Sequence, residues 1–218
     1  APAVTPAHWV NTGSGWKWQL EDSSYAMNQT ITIGDATYRF GADGMMVTGW
    51  DNQGGMWSYY NAYGARVSGW LKDAGSWYYL DPSTGAMATG WAQIDGTWYF
   101  FNASGAMRTG WERLADGWHF FASNGAQIGG WLRDGGQWYY LDPDTGVMRT
   151  GLTGVDGTWY YLRSSGAMVT GWLNGGNAWY YLDGSGAMAT GWVLDNGAWY
   201  YLGDTGVMVT GTREVDGR

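Results

Sequence analysis

One interval of about 20 residues governs what this chain can fold into. Gly-Trp stands at Gly49-Trp50, Gly69-Trp70, Gly90-Trp91, Gly110-Trp111, Gly130-Trp131, Gly171-Trp172 and Gly191-Trp192, with Gly151-Leu152 in the one gap and Gly211-Thr212 closing the series. The steps between anchors are 20, 21, 20, 20, 21, 20, 20 and 20 residues. Seven residues after each anchor comes a second tryptophan: Trp57, Trp77, Trp98, Trp118, Trp138, Trp159, Trp179 and Trp199. Upstream the frame continues in worn form, since Trp9 and Trp16 are also seven apart, and Ile31 and Tyr38 keep the interval without tryptophan. Two columns thus hold 17 of the 18 tryptophans, and Trp18 alone falls outside them. So short a period means one supersecondary unit, used about ten times and stacked on itself, because a unit of that size cannot bury its apolar face alone.

The unit reads as a β-hairpin. In Thr89-Gly90-Trp91-Ala92-Gln93-Ile94-Asp95-Gly96-Thr97-Trp98-Tyr99-Phe100-Phe101 a short segment meets Asp-Gly and then an aromatic run rich in strand formers. Asp-Gly supplies the positive φ angles of a tight hairpin turn. Asp116-Gly117, Asp134-Gly135 and Asp156-Gly157 repeat the signal. A second turn follows, such as Asp81-Pro82-Ser83-Thr84-Gly85 or Asn102-Ala103-Ser104-Gly105, and helix has almost no room to form. Residues two apart in a strand share a face, so Trp138 and Tyr140 lie on one side and Tyr139 and Leu141 on the other. The expected fold is all-β, a β-solenoid of about ten hairpin repeats of ~20 residues. Residues 44–218 form a single continuous repeat module on this reading, and residues 1–43 are degenerate N-terminal repeats that suit a cap.

Composition removes several functional classes. Lys plus Arg number 11 against 19 Asp plus Glu, a net charge of −8, so a nucleic acid would meet repulsion. There is no cysteine, hence no disulfide scaffold and no thiolate metal site. No apolar run approaches the ~18 residues of a membrane helix, so membrane insertion is not expected, and the opening Ala1-Pro2-Ala3-Val4-Thr5-Pro6 lacks the basic and apolar regions of a signal peptide. Only His8 and His119 could serve as imidazole, and no nucleophile elbow, zinc-protease motif or phosphate loop occurs. His119, in Trp118-His119-Phe120, reads as a surface or packing residue. The aspartates of Asp81-Pro82, Asp142-Pro143 and Asp183-Gly184 read as turn formers, since the calcium-solenoid nonapeptide is missing. No catalytic residue, metal or cofactor is expected.

The tryptophans themselves ask for explanation. They could be core alone, yet tryptophan is used twice per unit where leucine or valine would fill space, and Leu152 shows that the first column tolerates a residue without a ring. That usage points to a role for the ring itself beside the packing reading.

The pattern Thr170-Gly171-Trp172, Trp179-Tyr180-Tyr181-Leu182 and Ser185-Gly186-Ala187-Met188 resembles the choline-binding, or cell-wall-binding, repeats of Gram-positive surface proteins, autolysins and phage endolysins. The resemblance covers about 44–212, with the stretch before Gly44 weaker but in register. It implies a β-solenoid of hairpins that binds phosphocholine groups of teichoic acid in cages between consecutive hairpins. It implies a non-catalytic module, secreted and held at the bacterial cell surface, that anchors a larger surface protein or lysin. The related repeats of glucan-binding glucosyltransferases and clostridial toxins imply the alternative, a solenoid that binds glucan or cell-wall polysaccharide on the same rings.

Physical chemistry agrees with a cage. A quaternary ammonium has no hydrogen to donate and is best held by ring faces, each worth ~0.5–1 kcal/mol when exposed and ~2 when desolvated. Two tryptophans of one unit would form two walls and an aromatic of the next unit the third. Placing the third wall two residues after the second tryptophan gives Trp50, Trp57 and Tyr79; Trp70, Trp77 and Phe100; Trp91, Trp98 and Phe120; Trp111, Trp118 and Tyr140; Trp131, Trp138 and Tyr161; and Trp172, Trp179 and Tyr201. The interval at Leu152 keeps only Trp159 and Tyr181, and that at Ile31 only Tyr38 and Tyr59, so both should bind choline poorly. Trp192 and Trp199 are expected to be open, or completed by a second molecule as a dimer. Met46, Met87, Met107, Met168 and Met188 each precede a first-column tryptophan by four residues, as core filler or cage floor, with Arg66 and Gln127 in that place in two units.

Overall fold

The computed structural model describes residues 5–211, so Thr212 of the last anchor lies outside the described residues. The chain divides into two compact units, residues 1–108 and 109–218, a division that falls inside the stretch 44–218. Unit 1 carries β1 (His8–Asn11), β2 (Trp16–Gln19), β3 (Gln29–Ile33), β4 (Ala36–Phe40), β5 (Gly49–Gln53), β6 (Met56–Tyr60), β7 (Gly69–Asp73), β8 (Ser76–Leu80), β9 (Gly90–Ile94) and β10 (Thr97–Phe101). Unit 2 carries β11 (Gly110–Arg113), β12 (Trp118–Phe121), β13 (Gly130–Asp134), β14 (Gln137–Leu141), β15 (Gly151–Val155), β16 (Thr158–Leu162), β17 (Gly171–Asn174), β18 (Trp179–Leu182), β19 (Gly191–Asp195) and β20 (Ala198–Leu202). Each odd strand pairs antiparallel with the even strand after it, giving ten two-stranded sheets among the described residues. The fold is the expected all-β stack of hairpins.

Turn chemistry closes the hairpins where the sequence places it, with two exceptions. Asp95 and Gly96 sit at φ of 50° and 80°, and Asp156 and Gly157 at 49° and 80°, two successive left-handed residues as a type I′ turn requires. At Asp134-Gly135 the turn lies one residue later: Asp134 ends β13, paired with Gln137, and Gly135-Gly136 make the turn. A glycine pair accepts the left-handed geometry more easily than Asp-Gly, which frees Asp134 for other use. At Asp116-Gly117 the loop runs from Leu114 to Gly117, because the pairing stops at Arg113 and Trp118.

Hairpins are tied to one another by the segment after each second strand. The Met87 N–H, following β8, donates to the Trp57 carbonyl of β6 at 2.8 Å. Met46 to Trp16, Met107 to Trp77, Met148 to Trp118, Met168 to Trp138, Met188 to Trp159 and Met208 to Trp179 repeat this bond, each at 2.8 Å, and Arg66 to Thr37 repeats it at 2.7 Å. The methionine side chains lie over the turn glycine one repeat further on. A Cβ on Gly105, where φ is +82°, would stand 2.2 Å from Met87 Sδ. The Ser-Gly-Ala-Met motif thus reads as a seat and its occupant.

The largest buried side chains within each unit are the last residues of its second strands, from β4 onward in unit 1. Phe40, Tyr60, Leu80 and Phe101 in unit 1, and Phe121, Leu141, Leu162, Leu182 and Leu202 in unit 2, are no more than 2% exposed. Burial of such a side chain stabilises by ~1.5–3 kcal/mol. The tryptophans do not form this core: nine of them, from Trp16 to Trp179, are 37–44% exposed.

Candidate aromatic binding sites

Strand register explains which rings meet. Trp70 pairs with Tyr79 across the β7–β8 hairpin, so Trp70, Trp77 and Tyr79 share one face while Tyr78 and Leu80 point to the other. The tryptophan face looks toward the next hairpin and the opposite face looks back. Within a hairpin the two tryptophans stand nearly perpendicular: Trp50 and Trp57 at 6.5 Å and 81°, Trp70 and Trp77 at 6.3 Å and 88°, Trp131 and Trp138 at 6.3 Å and 90°, Trp172 and Trp179 at 6.5 Å and 80°. Such edge-to-face contact is the favoured geometry of an aromatic pair.

The ring that crosses from the next hairpin is one residue, not two, after its second tryptophan. Tyr78 meets Trp50 and Tyr99 meets Trp70, each at 4.9 Å; Tyr139 meets Trp111 at 4.9 Å; Tyr160 meets Trp131 and Tyr200 meets Trp172, each at 4.7 Å. The expected third walls pack inside their own hairpins instead. Tyr79 lies 5.2 Å from Trp70, Phe100 5.3 Å from Trp91, Phe120 5.2 Å from Trp111, Tyr140 5.0 Å from Trp131 and Tyr201 5.1 Å from Trp192, while Tyr161 is the cross-strand partner of Leu152. The reason is the pleat: a ring that faces back must lie opposite its own tryptophans. Of the expected sets, Trp91, Trp98 and Phe120 fall across the division between units. Trp91 and Trp98 are 6.1 Å apart within unit 1.

The N-terminal frame also shifts by one. Pairing of Gln29 with Phe40 and Thr30 with Arg39 aligns Thr30 and Thr37 with the tryptophan columns, not Ile31 and Tyr38. Tyr38 is a back-facing ring and meets Trp9 at 4.9 Å, while Trp9 and Trp16 stand 6.5 Å apart at 90°. Trp9, Trp16, Tyr38 and Met46 therefore line a cavity of about 350 Å³ together with Ala62 and Tyr63. The equivalent cavity at Trp111, Trp118, Tyr139 and Met148 is about 310 Å³, with Ser164 and Ser165 at its rim. Trp18 packs 5.2 Å from Trp9, in the place Tyr59 takes beside Trp50. Met46 and Met148 each lie against a turn glycine and also line these cavities.

A carboxylate that the 20-residue period does not reveal attends every third hairpin. Trp50 Nε1 donates to Asp73 Oδ2 at 2.9 Å, Trp111 Nε1 to Asp134 at 3.0 Å, and Trp172 Nε1 to Asp195 at 3.1 Å. The signal was present, since these aspartates recur 61 positions apart. Each places negative charge at the edge of an indole whose face is open to a cation.

His119 is fully buried, which makes it a packing residue and not a surface one. Gln127 Nε2 donates to its Nδ1 at 3.2 Å, which leaves Nε2–H to donate to Asp116 at 2.9 Å. That bond holds the Asp116 carboxyl below the usual carboxylate range. The turn aspartates are similarly shifted: hydrogen bonds from Ser83 and Thr84 lower Asp81 to about 2, and bonds from Thr145 and Arg149 lower Asp142 to about 2.

A model of the choline-binding repeat matches residues 47–89, 108–150 and 149–191, and a cell wall binding repeat model matches 89–107 and 190–208. No curated protein matches by sequence. Among solved structures, CbpJ from Streptococcus pneumoniae is 30% identical over 97% of each chain with a TM-score of 0.70. Choline binding protein F from the same organism is 31% identical, covering 99% of this chain and 96% of its own, with a TM-score of 0.66. The modular autolysin LytC of that organism, solved with a synthetic peptidoglycan ligand, is 28% identical over 98% of this chain and 50% of its own, with a TM-score of 0.70. The matched repeats cover more than half of the chain, which belongs to the choline-binding repeat family.

Proposed function

We propose that this chain is a non-catalytic cell-wall-binding module that holds choline groups of teichoic acid and so retains a larger protein at a Gram-positive cell surface. The observation that carries the reading is the half-exposed, perpendicular tryptophan pair of one hairpin closed by a tyrosine from the next. Within the two units this trio recurs at Trp9, Trp16 and Tyr38; Trp50, Trp57 and Tyr78; Trp70, Trp77 and Tyr99; Trp111, Trp118 and Tyr139; Trp131, Trp138 and Tyr160; and Trp172, Trp179 and Tyr200. Three ring faces around a trimethylammonium supply a few kcal/mol. Because ~4 kcal/mol corresponds to millimolar binding, retention needs several cages on one polymer, and the repeats supply them. The net charge of −8 favours a cation.

Isothermal titration with choline beside a thermal melt, on this chain and on Trp172→Ala, tests the reading. Millimolar binding at several sites, a raised melting temperature and one site fewer in the variant are expected. No heat and no shift at concentrations on the order of 10 mM would overturn it.

A further inference from the structure

The cavity at Leu152 departs from the tryptophan cages in several ways that act together. Its volume is about 560 Å³, against 310 Å³ at Trp111. Leu152 puts no ring opposite Trp159. Gly175 follows Trp172 by three residues, as Asp73 follows Trp70, Asp134 follows Trp131 and Asp195 follows Trp192, so no side chain joins the wall there. Trp159 pairs across the hairpin with Gly154, where Asn52, Lys72, Gln93, Arg113 and Arg133 stand in other hairpins. A Cβ at Gly154 would lie 3.3 Å from Trp159 Cζ3, so the six-membered ring of the indole rests on bare backbone. Trp159 is 52% exposed, more than any tryptophan of the complete trios.

The rim is different as well. Asp204 and Thr205, from the turn two hairpins on, line the cavity together with Thr190. Ser164 holds the position of Asp204 at the Trp111 cavity and Ala62 at the Trp9 cavity. A carboxylate and two hydroxyls thus join the rings of Trp159, Tyr161 and Tyr180 around a cavity from which only the first-column ring is missing.

We propose that this cavity is a pyranose subsite, taking one neutral hexose or N-acetylhexosamine residue of a glycan. A pyranose stacks its C–H face on a single aromatic platform and does not need three walls. Its equatorial hydroxyls can donate to Asp204 and exchange hydrogen bonds with Thr190 and Thr205. A quaternary ammonium can donate to none of these groups, and here it loses a ring face. The added volume fits a six-membered ring with its substituents. The assignment stands apart from the choline reading, because it requires no cage to be filled.

Saturation-transfer NMR on the whole chain tests it, with methyl N-acetyl-β-glucosaminide and methyl β-glucoside as probes and choline titrated separately. Transfer to one face of the sugar ring is expected, undiminished by excess choline and unchanged in Trp172→Ala. Asp204→Ala, an exposed turn substitution, should weaken sugar binding about tenfold while leaving the choline stoichiometry alone. Leu152→Trp restores the residue used elsewhere in the column and should abolish sugar transfer while adding one choline site. Absence of transfer for both sugars at about 10 mM, equal transfer in Asp204→Ala, or displacement of the sugar by choline would overturn the assignment. Choline heats measured in the same samples report on the cages independently.

Discussion

Replacing Tyr139 by leucine should weaken one cage and leave the others untouched, and replacing its neighbour Tyr140 should not have the same effect. Tyr139 presents its ring 4.9 Å from Trp111, across the gap between two hairpins, and lines the cavity with Trp118 and Met148. Tyr140 is the partner of Trp131 on the other face, 5.0 Å away. Leucine keeps apolar volume and β-strand compatibility, so the loss is the π face. At a half-exposed site one face is worth about 1–1.5 kcal/mol, which is roughly a tenfold rise in the choline concentration needed at half saturation.

The readout must be local, because bulk titration averages over weak sites. Indole N–H resonances serve, since each tryptophan reports its own cage. In Tyr139→Leu the Trp111 and Trp118 signals should titrate at about tenfold higher choline, with Trp131 and Trp138 unchanged. In Tyr140→Leu the Trp111 signals should keep their midpoint and those of Trp131, which loses its backing ring, should move. The opposite pattern, with Tyr140→Leu moving Trp111 and Tyr139→Leu leaving it, would refute the assignment of back-facing walls.

Gly105→Ala should cost roughly 2–4 kcal/mol, summing the left-handed backbone penalty at φ +82° with displacement of Met87 Sδ from a 2.2 Å approach. A differential scanning melt should show it as a fall of roughly 5–10 °C, and an unchanged melt would mean that the thioether does not sit in the glycine seat. Asp81 and Asp142 have folded-state pKa values lowered to about 2 from 3.8, so their stabilisation is complete above the unfolded value and is lost as pH falls from 3.8 toward 2. Melting temperature should drop through that window, and Asp81→Asn with Asp142→Asn should flatten the drop.

The repeat was legible because hairpin length is set by turn chemistry and strand pairing, both local, so tryptophans recur at fixed steps. The third wall was not, although alternation had already put Tyr139 and Tyr140 on opposite faces. Nothing local says which face looks toward the preceding hairpin; stacking decides that. At the worn N-terminal repeat two frames fit equally, since Ile31 to Tyr38 and Thr30 to Thr37 are both seven residues. Apolar character favoured the wrong pair. The buried column resolves the tie: Tyr60 and Leu80 stand three residues after Trp57 and Trp77, and Phe40 stands three after Thr37. A residue that faces the core every turn marks register better than an aromatic that faces solvent. The hydrogen bonds from indole to Asp73, Asp134 and Asp195 are not legible in the 20-residue period for a related reason, because they join residues 23 positions apart on successive hairpins and recur only every 61 positions.

On the proposed function, those aspartates bear on how weak cages would hold a polymer. Once one cage is filled, the next is engaged favourably only if the effective concentration of choline along the tethered strand exceeds that cage's dissociation constant. Both quantities are of millimolar order, so the outcome is finely balanced. A carboxylate at an indole edge, about 6 Å from a cation over the ring, contributes about 1 kcal/mol at partial exposure, or roughly fivefold in affinity. Replacing Asp73, Asp134 and Asp195 together by asparagine keeps an acceptor for each indole N–H and removes only the charge. Free choline should then bind roughly fivefold more weakly at three cages. Retention on a choline-bearing polymer should fall much further, because each weakened cage multiplies through the chain of engagements. Surface binding to choline-substituted polymer, compared with free-choline titration of the same variant, measures the two losses. Equal losses would mean that the cages act one at a time and that the acidic period has no part in avidity.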